Sequence, residues 1–251
     1  MTNILITGAS QGIGRSLAET YNQKENNLFL LARNQQALES LKNDLKNANL
    51  VEIIVCDVTN QQQMSQIISK IEETHQLDLV IANAGISAGT AKDTESASQI
   101  NQIFATNLNG VLNTINPAIK FFKSRKKGQI AVVSSLAAFL SLPSCPSYCA
   151  SKIAVKNYCE ALRINLKNFN INVSIICPGY IKTNMTAVND FYMPFLMDAS
   201  KAAKIIKKGL DLKKGRIIFP KIFYYLILLI SFLPNFIKDF IFSKLPDKKS
   251  L

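Results

Sequence analysis

The chain has 251 residues, 48% apolar and 18% charged, which suits one large folded domain with a full core and sets disorder aside. Its formal charge of +12 would suit a nucleic-acid partner, but residues 201–251 hold twelve Lys/Arg against three Asp/Glu, so the excess belongs to one end of the chain and no nucleic acid is expected. Five cysteines without paired metal-ligand spacing read as reduced thiols, and with His75 the only histidine no metal site is expected.

In chain order, Asn3 to Thr7 is a short apolar strand, too brief for the core of a signal peptide. It runs into Thr7-Gly8-Ala9-Ser10-Gln11-Gly12-Ile13-Gly14, after which Leu17, Ala18 and Tyr21 keep helical spacing. Glycines between a strand and a helix let backbone approach a pyrophosphate, and the free N–H groups of the helix start attract the anion. A second strand, Asn27 to Ala32, ends in Ala32-Arg33 with no carboxylate to bind a ribose 2′-hydroxyl. An arginine there suits a 2′-phosphate, and with Arg15 close to the glycine turn the pattern favours NADP(H) over NAD(H). Strand three, Val51 to Cys56, leads to Asp57-Val58, where Asp57 has two readings, acceptor for an adenine amino group or cap for the next helix. Strand four, Asp78 to Ala82, leads to Asn83-Ala84-Gly85.

A long helical segment from about Ser96 to Phe122 carries Asn107, which needs partners if buried. The basic run Lys123 to Lys127 reads as its solvated end. Strand five, Gln129 to Val133, delivers Ser134-Ser135, and Ser147-Tyr148-Cys149-Ala150-Ser151-Lys152 then sets a phenol and an ammonium on one helical face. Bringing a tyrosine from about pH 10 to neutrality takes about 4 kcal/mol, the scale of one unit charge at about 4 Å in an effective dielectric near 20. Strand six, Asn172 to Cys177, delivers Pro178-Gly179-Tyr180-Ile181-Lys182-Thr183. Strands alternating with helices predict an α/β fold with a parallel sheet.

Taken in order, these residues resemble the short-chain dehydrogenase/reductase family from about Asn3 to Thr183, with a continuation to Pro220. The match is Thr7-Gly8-x-x-x-Gly12-x-Gly14, Asp57, Asn83-Ala84-Gly85, Asn107, Ser135, Tyr148-x-x-x-Lys152 and Pro178-Gly179 through Thr183. Ala138 stands where the family often has glycine. The resemblance implies a single Rossmann-type doubly wound sheet of about seven strands, order 3-2-1-4-5-6-7, with helices on both faces. It implies an oxidoreductase in which Tyr148 is the general acid for carbonyl reduction, Lys152 lowers its pKa and holds the nicotinamide ribose, Ser135 binds the substrate oxygen and Asn107 fixes a water. Cofactor contacts are expected from Gly8, Ser10, Gln11, Gly12, Ile13, Gly14, Arg33, Asp57, Val58, Asn83, Ala84, Gly85, Tyr148, Lys152, Pro178, Gly179, Ile181 and Thr183. A homo-oligomer, dimer or tetramer, is also implied, with the helices around Phe104 and Tyr158 as candidate interfaces.

Residues 1–220 are read as the dinucleotide-binding catalytic domain and 221–251 as a hydrophobic, basic extension. Asn184 to Met197 is read as a lid whose Met185, Phe191, Tyr192 and Met193 favour a hydrophobic ketone or secondary alcohol. Ile222 to Leu233 is nearly all apolar but shorter than the roughly 20 residues that span a bilayer, and Pro234-Asn235 interrupts it. The expectation is a cytoplasmic enzyme resting on the inner face of a membrane through 221–245, with Lys213, Lys214, Arg216, Lys221, Lys238, Lys244, Lys248 and Lys249 toward anionic headgroups. Burial of the same surface in a dimer or over the substrate pocket is the alternative. Two other functions stay open: a soluble 3-oxoacyl-type reductase on carrier-bound chains, and a non-catalytic dinucleotide-binding regulator.

Overall fold

The apolar runs at the strand positions are continuous rather than alternating, the pattern of strands covered on both faces. In the computed structural model, which describes residues 1–91 and 93–250, they form one parallel sheet. Its strands are β1 (Thr2–Thr7), β2 (Asn26–Ala32), β3 (Leu50–Val55), β4 (Leu79–Ala82), β5 (Gly128–Val133), β6 (Ile171–Pro178) and β7 (Arg216–Phe219), in the order β3-β2-β1-β4-β5-β6-β7. This is the expected doubly wound order, with strand ends shifted by a residue or two. Ile4 on β1 pairs with Leu28 of β2 on one side and with Leu79 of β4 on the other. The chain winds outward from β1 in one direction, then returns to β4 and winds in the other, leaving a crevice at the carboxyl ends of β1 and β4.

Helices α1 (Gly12–Thr20), α2 (Gln35–Asp44), α3 (Gln61–His75), α4 (Ala97–Phe104), α5 (Gly110–Arg125), α6 (Pro146–Asn165) and α7 (Ala199–Asp211) connect the strands. Leu17, Leu38, Leu41 and Ile206 of α1, α2 and α7 are buried in one core layer. Met64, Ile68, Ile115 and Val155 of α3, α5 and α6 are buried in the other. Side chains of Asn34, Asn60 and Ser96 accept the N–H groups of Ala37, Gln63 and Gln99, fixing where α2, α3 and α4 begin.

The helical segment expected over 96–122 is not one regular helix. A π-helical turn, Ala105–Asn109, separates α4 from α5, and the extra residue per turn that such a bulge introduces is a common way to aim a side chain into a site. Beyond β7 the chain forms α8 (Lys221–Ser231) and α9 (Asn235–Phe242), with Pro234 at the start of the second. No helix among the described residues is long and apolar enough to cross a membrane.

Candidate active site

The crevice at the strand ends opens into a cavity of about 500 Å³. At one end the turn between β1 and α1 is built around backbone that only glycine allows. Gly8 has φ +65°, and a Cβ on Gly14 would stand 2.2 Å from the Gly8 carbonyl oxygen. Asn83 locks this turn to β4: its side-chain amide donates to the carbonyls of Thr7 at 3.0 Å and Gly8 at 3.2 Å. In return Thr7 Oγ1 accepts the N–H groups of Asn83 and Ala84. The Asn83 amide therefore holds the scaffold, and Asn83 lines the cavity together with Ala84 and Gly85.

Asp57 does not cap the next helix, a role that Asn60 takes. Asp57 Oδ1 accepts from Thr59 N and Oγ1 in a local turn, while Oδ2 lies 3.8 Å from Arg33, whose side chain is 70% exposed. Arg33, Asp57 and the buried Val58 line the cavity, as do Ser10, Gln11, Gly12 and Ile13. Arg15 does not. It pairs with Glu19 at 3.1 Å and Asp44 at 2.6 Å along the α1–α2 side, so the contribution expected of it at the 2′-position is corrected. Its i,i+4 partner Glu19 was visible in the sequence.

At the centre, the first turns of α6 bring Tyr148 and Lys152 beside the ends of β4 and β5. Lys152 is buried and its Nζ donates to the Val133 carbonyl at 3.0 Å, lying 5.8 Å from the Tyr148 ring centroid. Burial lowers the Lys152 pKa to about 8. Burial also pushes the Tyr148 phenol up, with a hydrogen bond from Ser135 acting the other way. This direction is opposite to the lowering expected from Lys152, and desolvation is its largest cause. Ser135 sits at the end of β5 and accepts the Ala137 N–H at 3.1 Å.

Asn107, fully buried in the π-turn, is satisfied on both sides. Its Oδ1 accepts Ile86 N at 2.8 Å, and its Nδ2 donates to Ile86 O at 2.9 Å and Ser151 Oγ at 3.0 Å. It thereby clamps the β4–α4 loop onto α6 one residue before Lys152. A Cβ on Gly85 would sit 3.2 Å from Asn107 Oδ1 and 3.3 Å from Lys152 Nζ, so the same corner also needs a small residue.

The loop after β6 closes the cavity over the glycine turn. Pro178, Gly179, Ile181 and Thr183 all line it. Asn184 Nδ2 donates to Gln11 Oε1 at 2.8 Å, and a Cβ on Gly12 would meet Thr183 Cγ2 at 2.9 Å. These residues fit a dinucleotide: glycine backbone at a helix start, a cation rather than a carboxylate directly after β2, and an ammonium beside a phenol at the other end.

The remaining wall is apolar. Met185, Phe191 and Tyr192 come from the expected lid, and Leu226, Ile230 and Phe242 from α8 and α9. Tyr180 stacks on Phe223 with ring centroids 6.1 Å apart. The inner face of the two last helices thus roofs the cavity, as the alternative to membrane contact required, while Ile222, Tyr225, Leu229, Phe232, Phe236 and Phe240 remain exposed on the outer face. Among the basic residues assigned to that outer surface, Lys248 instead turns into the cavity, and Arg216 is tied to Glu160 at 2.8 Å. Sequence reading also passed over Ile86, Ser87 and Tyr180; their positions directly after Gly85 and Gly179 were the available signal.

A sequence model described as short chain dehydrogenase matches residues 2–190. The 3-oxoacyl-[acyl-carrier-protein] reductase FabG of Rickettsia prowazekii is 33% identical over 184 residues, 72% of this chain and 73% of that protein. A short-chain dehydrogenase from Sphingobium yanoikuyae in complex with NADPH superposes with a TM-score of 0.81 at 21% identity, covering 100% of this chain and 99% of that one. A short-chain dehydrogenase/reductase from Burkholderia phymatum in complex with NAD gives 0.83 at 23% identity, covering 100% and 98%.

Proposed function

The chain belongs to the short-chain dehydrogenase family, and on that premise we propose that it is an NADP(H)-dependent oxidoreductase that interconverts a hydrophobic ketone and its secondary alcohol. The observation that carries this reading is the convergence of Tyr148, Lys152 and Ser135 on one corner of a cavity whose other end is a glycine turn, with the buried Asn107 bonded to Ser151 beside Lys152. Gly8, Gly12, Gly14 and Arg33 would hold the dinucleotide, and its nicotinamide supplies the hydride when bound. Tyr148 donates its proton to the carbonyl oxygen, and burial keeps it protonated near neutrality, which suits the reducing direction. Ser135 hydrogen-bonds the same oxygen, and the charged Lys152 stabilises the negative charge that develops there. Asn107 acts as a positioning residue, fixing the β4–α4 loop against Ser151.

Residues 1–220 carry this machinery, and 221–251 roof it. The outer face of α8 and α9 leaves Phe232 84% and Phe236 74% exposed, with Lys221, Lys238 and Lys244 beside it. That face rests on a membrane in this reading, so a lipophilic substrate enters from lipid beneath the roof. The protein is a cytoplasmic homo-oligomer that pairs through the helix faces carrying Phe104 and Tyr158.

A carrier-bound 3-oxoacyl chain is the second reading, favoured by the likeness to the FabG reductases. An NADPH-oxidation assay over long-chain ketones, short ketones and 3-oxoacyl thioesters separates the two. The main reading expects long-chain ketones to be reduced most efficiently; preference for thioesters selects the second, and no turnover of any class rejects both in favour of a regulator.

A further inference from the structure

Residues 245–249 cross the substrate end of the cavity as a strap. The N–H of Ala91 donates to Lys248 O at 2.9 Å and that of Gly89 to Lys249 O at 2.6 Å. A Cβ on Gly89 would stand 2.2 Å from Lys248 O, so this seat accepts the strap only because residue 89 is glycine. With its backbone held, Lys248 turns its side chain inward: Nζ donates to Ser87 Oγ at 2.5 Å and lies 5.4 Å from the Tyr148 ring centroid.

The ammonium is poorly compensated there. Lys249 beside it pairs with Asp190 at 3.9 Å, but among the described residues no carboxylate pairs with Lys248. Asp57, next to Arg33, is the only carboxylate among the described residues that line the cavity. Among the described residues that line the phenol end there are two ammonium groups, Lys152 and Lys248, and no carboxylate; Glu95, outside the lining, accepts from Ser147 N and Oγ. One hydroxyl serves the three donors of Lys248, and removing such a charge from water is unfavourable unless an anion meets it.

We propose that Lys248 is a specificity-determining residue that binds a carboxylate or phosphate on the substrate, so that the enzyme takes lipophilic ketones carrying an anionic group near the carbonyl. The inference rests on the oxidoreductase reading for the word substrate, and on geometry alone for the anion site. Such a ligand places its carbonyl at Tyr148, its anion at Lys248 and its chain under Leu226, Ile230 and Phe242. A protonated amine at the same place is repelled by both lysines. The Cys145 thiol is a rival counterion, since a hydrogen bond from Cys149, 4.0 Å away, holds it below its ordinary range and Lys248 acts in the same direction.

The test compares octyl phosphate, octanoate and 1-octanol by calorimetry on the full-length protein with saturating NADPH. At least one anion should bind about tenfold or more tightly than octanol, the scale of a charge-assisted contact, and the stronger of the two identifies the group. Lys248→Met should remove that preference and leave octanol unchanged, whereas Lys248→Arg and Cys145→Ala should keep it. Equal affinities for the three ligands, or absence of anion binding, would overturn the assignment. So would a Lys248→Met loss shared equally by octanol, which would mark the side chain as an anchor of the strap, or loss of the preference in Cys145→Ala. None of these ligands is a ketone, so a protein that shows the preference yet reduces nothing would contradict the oxidoreductase reading and not the anion site.

Discussion

The two ends of the cavity are made differently. At the cofactor end, turns at the ends of β1 and β4 are fixed by backbone: a glycine in a left-handed conformation, a second with no room for a Cβ, and Asn83 bonded to two turn carbonyls. At the substrate end the walls are side chains from the lid, the roof helices and the strap, where Tyr180, Phe191, Phe195 and Phe223 lean on one another. The first end can accept one shape of ligand; the second can change its ligand by changing side chains without disturbing the sheet. The difference teaches where specificity resides.

The sharpest way to break this division is at the junction of the two ends. Tyr148→Phe removes only the transferable proton, so ketone turnover should fall a hundredfold to ten-thousandfold, while NADPH affinity by fluorescence titration stays within about threefold. A similar loss of cofactor binding would place Tyr148 in the rigid end instead. Next in size is Arg33→Ala, which should weaken NADPH by about tenfold or more and leave NADH unchanged; an equal loss of both cofactors would show that Arg33 supports the fold around Asp57.

A smaller effect is expected with pH. The buried Lys152 holds its proton up to about pH 8, so kcat/KM for reduction should be level below that and decline above it as the ammonium becomes neutral. The phenol, held above its ordinary value, remains protonated across the same range. A profile that rises above pH 8 would show the site working through a neutral lysine. The smallest effect on chemistry belongs to the roof: Phe232→Ser with Phe236→Ser, both on the outer face, should leave turnover of a short dispersed ketone within twofold. Partition onto anionic vesicles should drop, each phenyl contributing about 2 kcal/mol when buried in lipid. Unchanged vesicle binding would assign that face to another partner.

The rigid end was legible in the sequence because its signals are local. Continuous apolar runs marked the strands, Gly8, Gly12 and Gly14 marked the turn, and Asp57, Asn83 and Ser135 followed their strands directly. The family resemblance then supplied the order of the sheet. The substrate end was legible only in composition. The apolar run from Ile222 to Leu233 announced a buried or membrane-facing surface, yet its helix turns one face to the cavity and the other outward, and periodicity does not say which neighbour each face meets. Lys248 was grouped with surface lysines because nothing near it in sequence separates it from Lys244 or Lys249. Only its tertiary seat on Gly89 and Ala91 turns it inward. Arg15 erred the other way: proximity to the glycine turn suggested a phosphate, and the nearer carboxylates of Glu19 and Asp44 took it.

The central claim, hydride transfer governed by Tyr148, is tested most directly with NADPH deuterated at nicotinamide C4, on each face in turn, and a long-chain ketone as acceptor. Mass spectrometry of the product should find one deuterium on the carbinol carbon from one of the two labelled faces, with formation slowed at least a hundredfold in Tyr148→Phe. Alcohol that carries no label from either face, or label arriving equally fast in the variant, would contradict the account.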